Sequence, residues 1–216
     1  MFQQTPCHVS SCLKAELSSF DGSGNIIGTG GYCLDHIPDP EKAKQDILAY
    51  IKAHEKIIGL NASGIAFCNL DFSGKKFYGC NFQHCTFSNI KAEEMRSRMS
   101  VFDFSIFTDC NLLKSNIQFC SFGGCTFSHT LLTGSDLVQD NFCGLKAFQS
   151  SFDDTDLYNS RFIKADLIDT SFRNCNIKKT VFWEIKQENA SFKLSNTREA
   201  EFDRSGSELF STAGLS

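Results

Sequence analysis

A chain of 216 residues can bury one substantial core but is too short for two full globular domains. Its 21 Lys and Arg against 25 Asp and Glu leave a net charge of -4, which excludes a strongly basic nucleic-acid binder and an extreme acidic tail. No stretch has the length and apolarity needed to span a membrane.

The start, Met1-Phe2-Gln3-Gln4-Thr5-Pro6, lacks a basic region followed by an apolar run. The default expectation is therefore a cytoplasmic protein. Secretion without a cleavable signal stays open.

Residues 1 to 60 read as a separate N-terminal segment. Leu13 to Phe20 and Ile26 to Tyr32 flank Asp21-Gly22-Ser23-Gly24-Asn25, the pattern of a β-hairpin. Gly22, Gly24, Gly28, Gly30 and Gly31 fit neither a P-loop nor a dinucleotide fingerprint and read as turn glycines. Asp39 as N-cap and Pro40 at the first helical position open a helix of about residues 40–58, which Gly59 can close. Ala43, Ile47, Tyr50, Ile51, His54 and Ile58 fall on one face of it. That face is expected to cap whatever follows.

From Phe67 to Phe202 every fifth position forms a series of 28 sites, of which 16 are Phe, five Leu and two Ile. This period is neither that of a plain strand nor that of a helix. Two residues earlier lies a column of small side chains, including Cys80, Cys85, Ser105, Cys110, Cys120, Cys125, Thr130, Ser160 and Cys175. Residues two apart on an extended chain share a side, so the large and small positions face inward together.

Units such as Cys80-Asn81-Phe82-Gln83-His84, Thr155-Asp156-Leu157-Tyr158-Asn159 and Ala165-Asp166-Leu167-Ile168-Asp169 resemble the repeat of pentapeptide-repeat proteins. The resemblance implies an all-β, right-handed, four-sided parallel β-helix with 20 residues per coil. Residues 65–204 would then wind about seven coils, leaving 205–216 as a tail. At an inter-strand spacing of about 4.8 Å the rod is roughly 34 Å long. Sorting by 20 puts Phe82, Phe102, Phe122, Phe142, Phe162, Phe182 and Phe202 in one column, which predicts an aromatic stack.

Five centres break the rule: Ala92, Ser97, Ala147, Gln187 and Thr197. Ile90, Met95, Leu145 and Ile185 stand two positions before the first four, an exchange of large and small sites that roughly conserves volume. Residues 90–99, with Glu93, Glu94, Arg96 and Arg98, are therefore expected inside the solenoid. The rival expectation is an excursion loop.

Eleven Cys would suggest a disulfide framework in a short secreted chain. In this register Cys80, Cys85, Cys120 and Cys125 point inward as small apolar groups while His84 and His129 point outward, so no metal site is expected from them. No cofactor and no small-molecule substrate are implied, and a filled core leaves no evident pocket for an enzyme. Asp153, Asp154, Asp156, Asp166 and Asp169 cluster at outward positions and read as solvated charge.

Val138, Tyr158, Ile163 and Trp183 instead place apolar side chains just after a core centre, on adjoining faces, with Phe148 and Ile168 as a weaker pair elsewhere. These four, with Asp153, Asp154 and Asp156 beside them, are the candidate contacts for an unidentified protein partner or for a homodimer. The expected function is a non-catalytic protein-interaction scaffold. Its layout resembles family members delivered as bacterial effectors. The alternative is the DNA-mimicking, gyrase-protecting, drug-resistance role of other members. It is disfavoured because residues 65–204 hold 16 Lys and Arg against 17 Asp and Glu.

Overall fold

The computed structural model describes residues 5–27 and 31–203. Strands β1 (Ser19–Phe20) and β2 (Ile26–Ile27) pair antiparallel, and the Asp21 carboxylate accepts the backbone N–H groups of Ser23 and Asn25 to hold the turn. The Leu17 N–H also donates to Tyr32 O at 2.9 Å, linking the two arms farther from the turn. Gly28 and Gly30, like the tail from Ser205, lie outside the described residues.

Helix α1 spans Pro40–Ala53, with the Asp39 carboxylate accepting from the Lys42 N–H at 2.9 Å. It ends five residues before the predicted close. His54 leaves helical geometry while its backbone N–H still donates to Tyr50 O. Gly59 serves a different purpose, as a left-handed corner of the first coil (φ +69°). Ile47 and Ile51 are buried in the same core as Ile57, Leu60 and Phe67, so the helix closes the end of the rod. Ile58 is not on that face; it lies in strand β3 (Lys56–Ile58) and is half exposed.

Strand β3 pairs in parallel with Lys76–Tyr78, so the winding begins about ten residues ahead of the expected start. Leu60 and Ala62, both fully buried, are one more exchange of large and small sites, which hides the first pentads from a search for Phe. The chain is a parallel β-solenoid of about seven turns. One face is a seven-stranded sheet from Ala66–Cys68 to Lys186–Glu188, each strand paired to the strand 20 residues on. The face ten residues out of phase carries five strands from β3 to Asp136–Val138. Single bridges such as Asn81↔Val101 and Leu131↔Ser151 hold the other two faces.

The all-Phe column stacks as the 20-residue period predicts, with ring centroids 5.2 Å apart for Phe82 and Phe102, 4.7 Å for Phe102 and Phe122, and 5.0 Å for Phe182 and Phe202. The small column is more than filler. Ser105, Ser160 and Thr180 hydroxyls donate to the carbonyls of Phe82, Leu137 and Leu157 at 2.7 Å each. The Cys85 and Cys125 thiols do the same to Ala62 and Phe102. Backbone N–H groups of one coil in turn donate to the small side chain 20 residues on, as Cys85 does to Ser105. Small polar groups therefore satisfy backbone atoms at the bends, which Ala cannot do.

Residues 90–99 stay in the coil. Arg96–Arg98 pairs on both sides, and Ile90, Ala92, Met95 and Ser97 are buried. The exchange is imperfect, leaving a void of about 20 Å³ lined by Ile90, Ala92, Met95 and the rings around them. At the far end the compensation fails. The buried Gln187 Oε1 has no partner among the described residues, and Thr197 opens a 3₁₀ turn, Thr197–Glu199, in place of a strand.

Candidate interaction surface

The fifth residue of almost every pentad turns a corner in the left-handed region, where Gly, Asn and Asp are favoured. Gly64, Asn69, Gly74, Gly79, Asn89, Asp109, Gly134, Asn159, Asp169 and Asn174 follow that preference. Met99 (φ +50°), Phe104 (φ +60°), Phe119 (φ +56°) and Leu194 (φ +68°) do not. All four are also exposed, at 63%, 59%, 49% and 75% in that order, with Leu194 apart from the others near the far end of the rod. Bulky apolar side chains here oppose both the backbone and the solvent.

The register groups them. Met99 and Phe119 are 20 apart and sit one above the other on the corner between the five-stranded face and the all-Phe face. Phe104 occupies the next corner, stacked on His84 with centroids 5.3 Å apart. A Cβ on Gly124 would stand 2.7 Å from the Phe104 ring, so glycine there lets the ring lie across the next coil. Ile106, 46% exposed, continues the patch past that corner.

The residues expected from the sequence are less uniform. Val138 and Tyr158 lie on the five-stranded side and Ile163 and Trp183 on the all-Phe side, as the register places them, but the first three are only half exposed. Lys179 Nζ lies 5.5 Å from the Tyr158 ring centroid and covers part of it. Trp183, 46% exposed, is the open aromatic of the four.

Asp153, Asp154 and Asp156 stand at outward positions, Asp154 exposed and the other two half-exposed, and each also accepts a hydrogen bond from the next coil. Asp153 accepts from Ser171 Oγ at 2.5 Å and the Arg173 N–H at 2.8 Å, Asp154 from Asn174 Nδ2 at 2.7 Å, and Asp156 from Asn176 Nδ2 at 2.9 Å.

Burial pushes the thiols of Cys80, Cys85, Cys120 and Cys125 up to about 12, so these are inert core groups. His84 and His129 are engaged elsewhere, His84 with Phe104 and His129 with Gln149 and Asp109. A different quartet does converge: Cys7, Cys12, Cys33 and His36, whose ligand atoms all lie within 4.8 Å of one another. These residues lie outside the repeat, so the five-residue register says nothing of them. The local signal is a pair of short spacings, Cys7-x₄-Cys12 and Cys33-x₂-His36.

Beside the quartet, Thr5, Pro6, Leu13, Lys14, Leu34 and Asp35 face Ser63, Gly64, Gln83 and His84 across a cleft of about 620 Å³. This concave feature is not expected from a filled solenoid. It arises because the N-terminal segment stands beside the first coils. Lys14 and Asp35 pair across its rim, which raises the Lys14 pKa and lowers that of Asp35. No helix among the described residues is long and apolar enough to cross a membrane.

The family model for pentapeptide repeats matches residues 149–182 in eight copies. No curated protein matches the chain. Among solved structures it is similar to the pentapeptide-repeat protein Rfr23 of the cyanobacterium Cyanothece, at 13% identity over 74% of this chain and 95% of that one, with a TM-score of 0.40. It is also similar to a trypsin-treated QnrB1, a plasmid-mediated fluoroquinolone resistance protein, at 17% identity over 75% and 91%, TM-score 0.39. A third is HetL of the cyanobacterium Nostoc, involved in heterocyst differentiation regulation, at 13% over 75% and 98%, TM-score 0.29.

Proposed function

Taking as premise that this chain is a pentapeptide-repeat β-solenoid, we propose that it is a non-catalytic scaffold that presents one side of a rigid rod to a protein partner. One observation carries this reading: Met99, Phe104 and Phe119 are large, exposed and apolar at corners that favour Gly or Asn. Large apolar side chains exposed at corners where Gly or Asn would cost less are outliers that point to function, Phe104 with its stack on His84 included. Trp183 extends the same side of the rod, with Ile163, Val138 and Tyr158 as half-exposed flanks. An aromatic anchor on an apolar patch with a polar rim is the composition of a protein-binding hot spot.

The gyrase-protecting alternative receives no comparable support, since charges on the rod nearly cancel and the local acidic groups are bonded between coils. Delivery as a bacterial effector and self-association stay within the proposal as versions of partner binding.

The test is affinity capture from the native host with wild type and with a Met99→Asn/Phe104→Asn/Phe119→Asn variant, followed by direct titration of the purified partner. Loss of binding in the variant with an unchanged circular-dichroism spectrum is expected. A partner that binds both equally, and also binds Trp183→Ala, would overturn the surface. Sedimentation of the chain alone reads self-association, and gyrase supercoiling with a quinolone reads the alternative.

A further inference from the structure

Nine of the eleven cysteines divide into two populations, with Cys68 and Cys143 standing apart at outward positions of the repeat. Six residues, Cys80, Cys85, Cys110, Cys120, Cys125 and Cys175, occupy the inward small-residue column and are buried there. Three others, Cys7, Cys12 and Cys33, lie in the segment that has no repeat, and the fold brings all three onto His36.

The distances have a definite chemistry. Cys12 Sγ is 3.8 Å from Cys33 Sγ, and His36 Nδ1 is 3.5 Å from Cys7 Sγ and 3.3 Å from Cys33 Sγ. A tetrahedral ion with metal–sulfur bonds of about 2.3 Å and a metal–nitrogen bond of about 2.0 Å has edges of roughly 3.8 Å between sulfurs and roughly 3.5 Å between sulfur and nitrogen. Three of the six edges match, and the rest lie within 4.8 Å. A disulfide would need sulfurs about 2.05 Å apart and would leave an odd thiol and the imidazole unused. Three thiolates and an imidazole are the donor set of a closed structural zinc site.

Local backbone holds the ligands in two short loops. The Cys7 N–H donates to Lys14 O and the Cys12 N–H to Val9 O, which closes the first loop. The N–H groups of His36 and Ile37 both donate to Cys33 O, which closes the second.

The segment also needs such a link. Among described residues 5–36 the buried ones are Cys7, Glu16, Leu17 and Cys33, so Leu17 is the one buried apolar side chain besides the cysteines. A unit this poor in core requires a staple. Its anchorage to the rod is slight: Leu17 enters the core with Phe20, Ile26 and Leu34 packed partly buried against it, and the Ser18 N–H donates to Asn61 O and the Asn61 N–H to Ser18 Oγ.

We propose that Cys7, Cys12, Cys33 and His36 bind one Zn²⁺ as a structural Cys₃His centre that fixes the N-terminal segment beside the first coils. The site joins the 7–12 loop to the 33–36 turn and thereby sets one wall of the adjoining cleft. It is independent of the partner surface described above.

The test is metal analysis of the full chain, purified under reducing conditions and again after reconstitution with Zn²⁺, together with Co²⁺ substitution. The expected result is about one ion per chain and the intense visible spectrum of tetrahedral Co²⁺ with thiolate charge transfer. Cys33→Ser and His36→Ala should each lose that spectrum and bring zinc to background, while Cys68→Ser and Cys143→Ser keep both. Circular dichroism of the variants checks that the solenoid persists. Background zinc in reconstituted wild type, an octahedral Co²⁺ spectrum, a Cys12–Cys33 disulfide in freshly reduced protein, or full binding by Cys33→Ser would each overturn the proposal. The wild-type measurements decide the matter even if a variant fails to fold.

Discussion

At the residue scale, Asp140 is the clearest exception to the rules of its own column, which otherwise reads Cys80, Ser100, Cys120, Ser160 and Thr180. Its Oδ1 accepts the Cys120 N–H at 2.7 Å, while its Oδ2 is buried without a partner. Desolvation dominates and raises the carboxyl to about 8, against the smaller opposing effects of the Cys120 N–H and Arg98. Below the ordinary value of 3.8 both folded and unfolded chains hold the proton, and the group costs nothing. Between 3.8 and about 8 the unfolded chain has released a proton that the folded chain keeps, so stability falls as pH rises, levelling off above that window. Asp140→Asn retains the Oδ1 acceptor and cannot ionise. In urea titrations its advantage over wild type should be smallest at the acid end of the window and grow toward about pH 8. Parallel pH profiles would refute this. The corner residues give a second prediction: Met99→Asn and Phe119→Asn should each raise the unfolding midpoint, by up to about 1 kcal/mol, since Asn tolerates the left-handed region. A drop in midpoint would show that these side chains serve the fold.

At the element scale, the pentad was legible because Phe and Leu mark its centre, and the same marker explains where reading stopped. Neither Ile57 nor Ala62 is Phe or Leu, so the five-residue series starts at Phe67 and the first half-coil falls in the N-terminal segment and its helix of about residues 40–58. Helix α1 was visible through Asp39 and Pro40, yet its end was misplaced because Gly59 is a corner residue that resembles a helix stop. Among surface residues, Trp183 was legible from its register. Met99, Phe104 and Phe119 were not, because their significance rests on a corner dihedral that spacing alone does not reveal. The Cys7 quartet depends on tertiary contact between loops 21 residues apart. As the cap, α1 supplies Ile47 and Ile51 to the first coil. Ile51→Ala should cost about 2–5 kcal/mol and Asp39→Ala about 1 kcal/mol, read from denaturant midpoints. An Ile51→Ala cost near zero would mean that the helix rests on the rod without closing it.

At the scale of the whole molecule, a solenoid distributes stability along one axis, because each coil touches only its neighbours. The N-terminal end is closed by α1, whose Ile47 and Ile51 continue the core. Toward the other end, one coil has two centres without a large apolar group, Gln187 and Thr197. Gln187 leaves an oxygen unpaired among the described residues, Thr197 has only Ser195 two positions earlier, and the strand at 197 gives way to a 3₁₀ turn. The rod should therefore open from this end, with amides of residues 180–200 exchanging fastest among the coils and those near Phe122 to Phe142 slowest. Gln187→Leu restores the apolar centre that its sheet neighbour Leu167 already has. If stability is a sum of nearest-neighbour terms, that change should slow exchange in residues 180–200 and leave the coils around Phe82 to Phe102 unaffected. Uniform slowing along the whole rod would instead show that it unfolds as one cooperative unit, in which case the apolar side presented by Met99, Phe104, Phe119 and Trp183 would be rigid over its full length when a partner arrives.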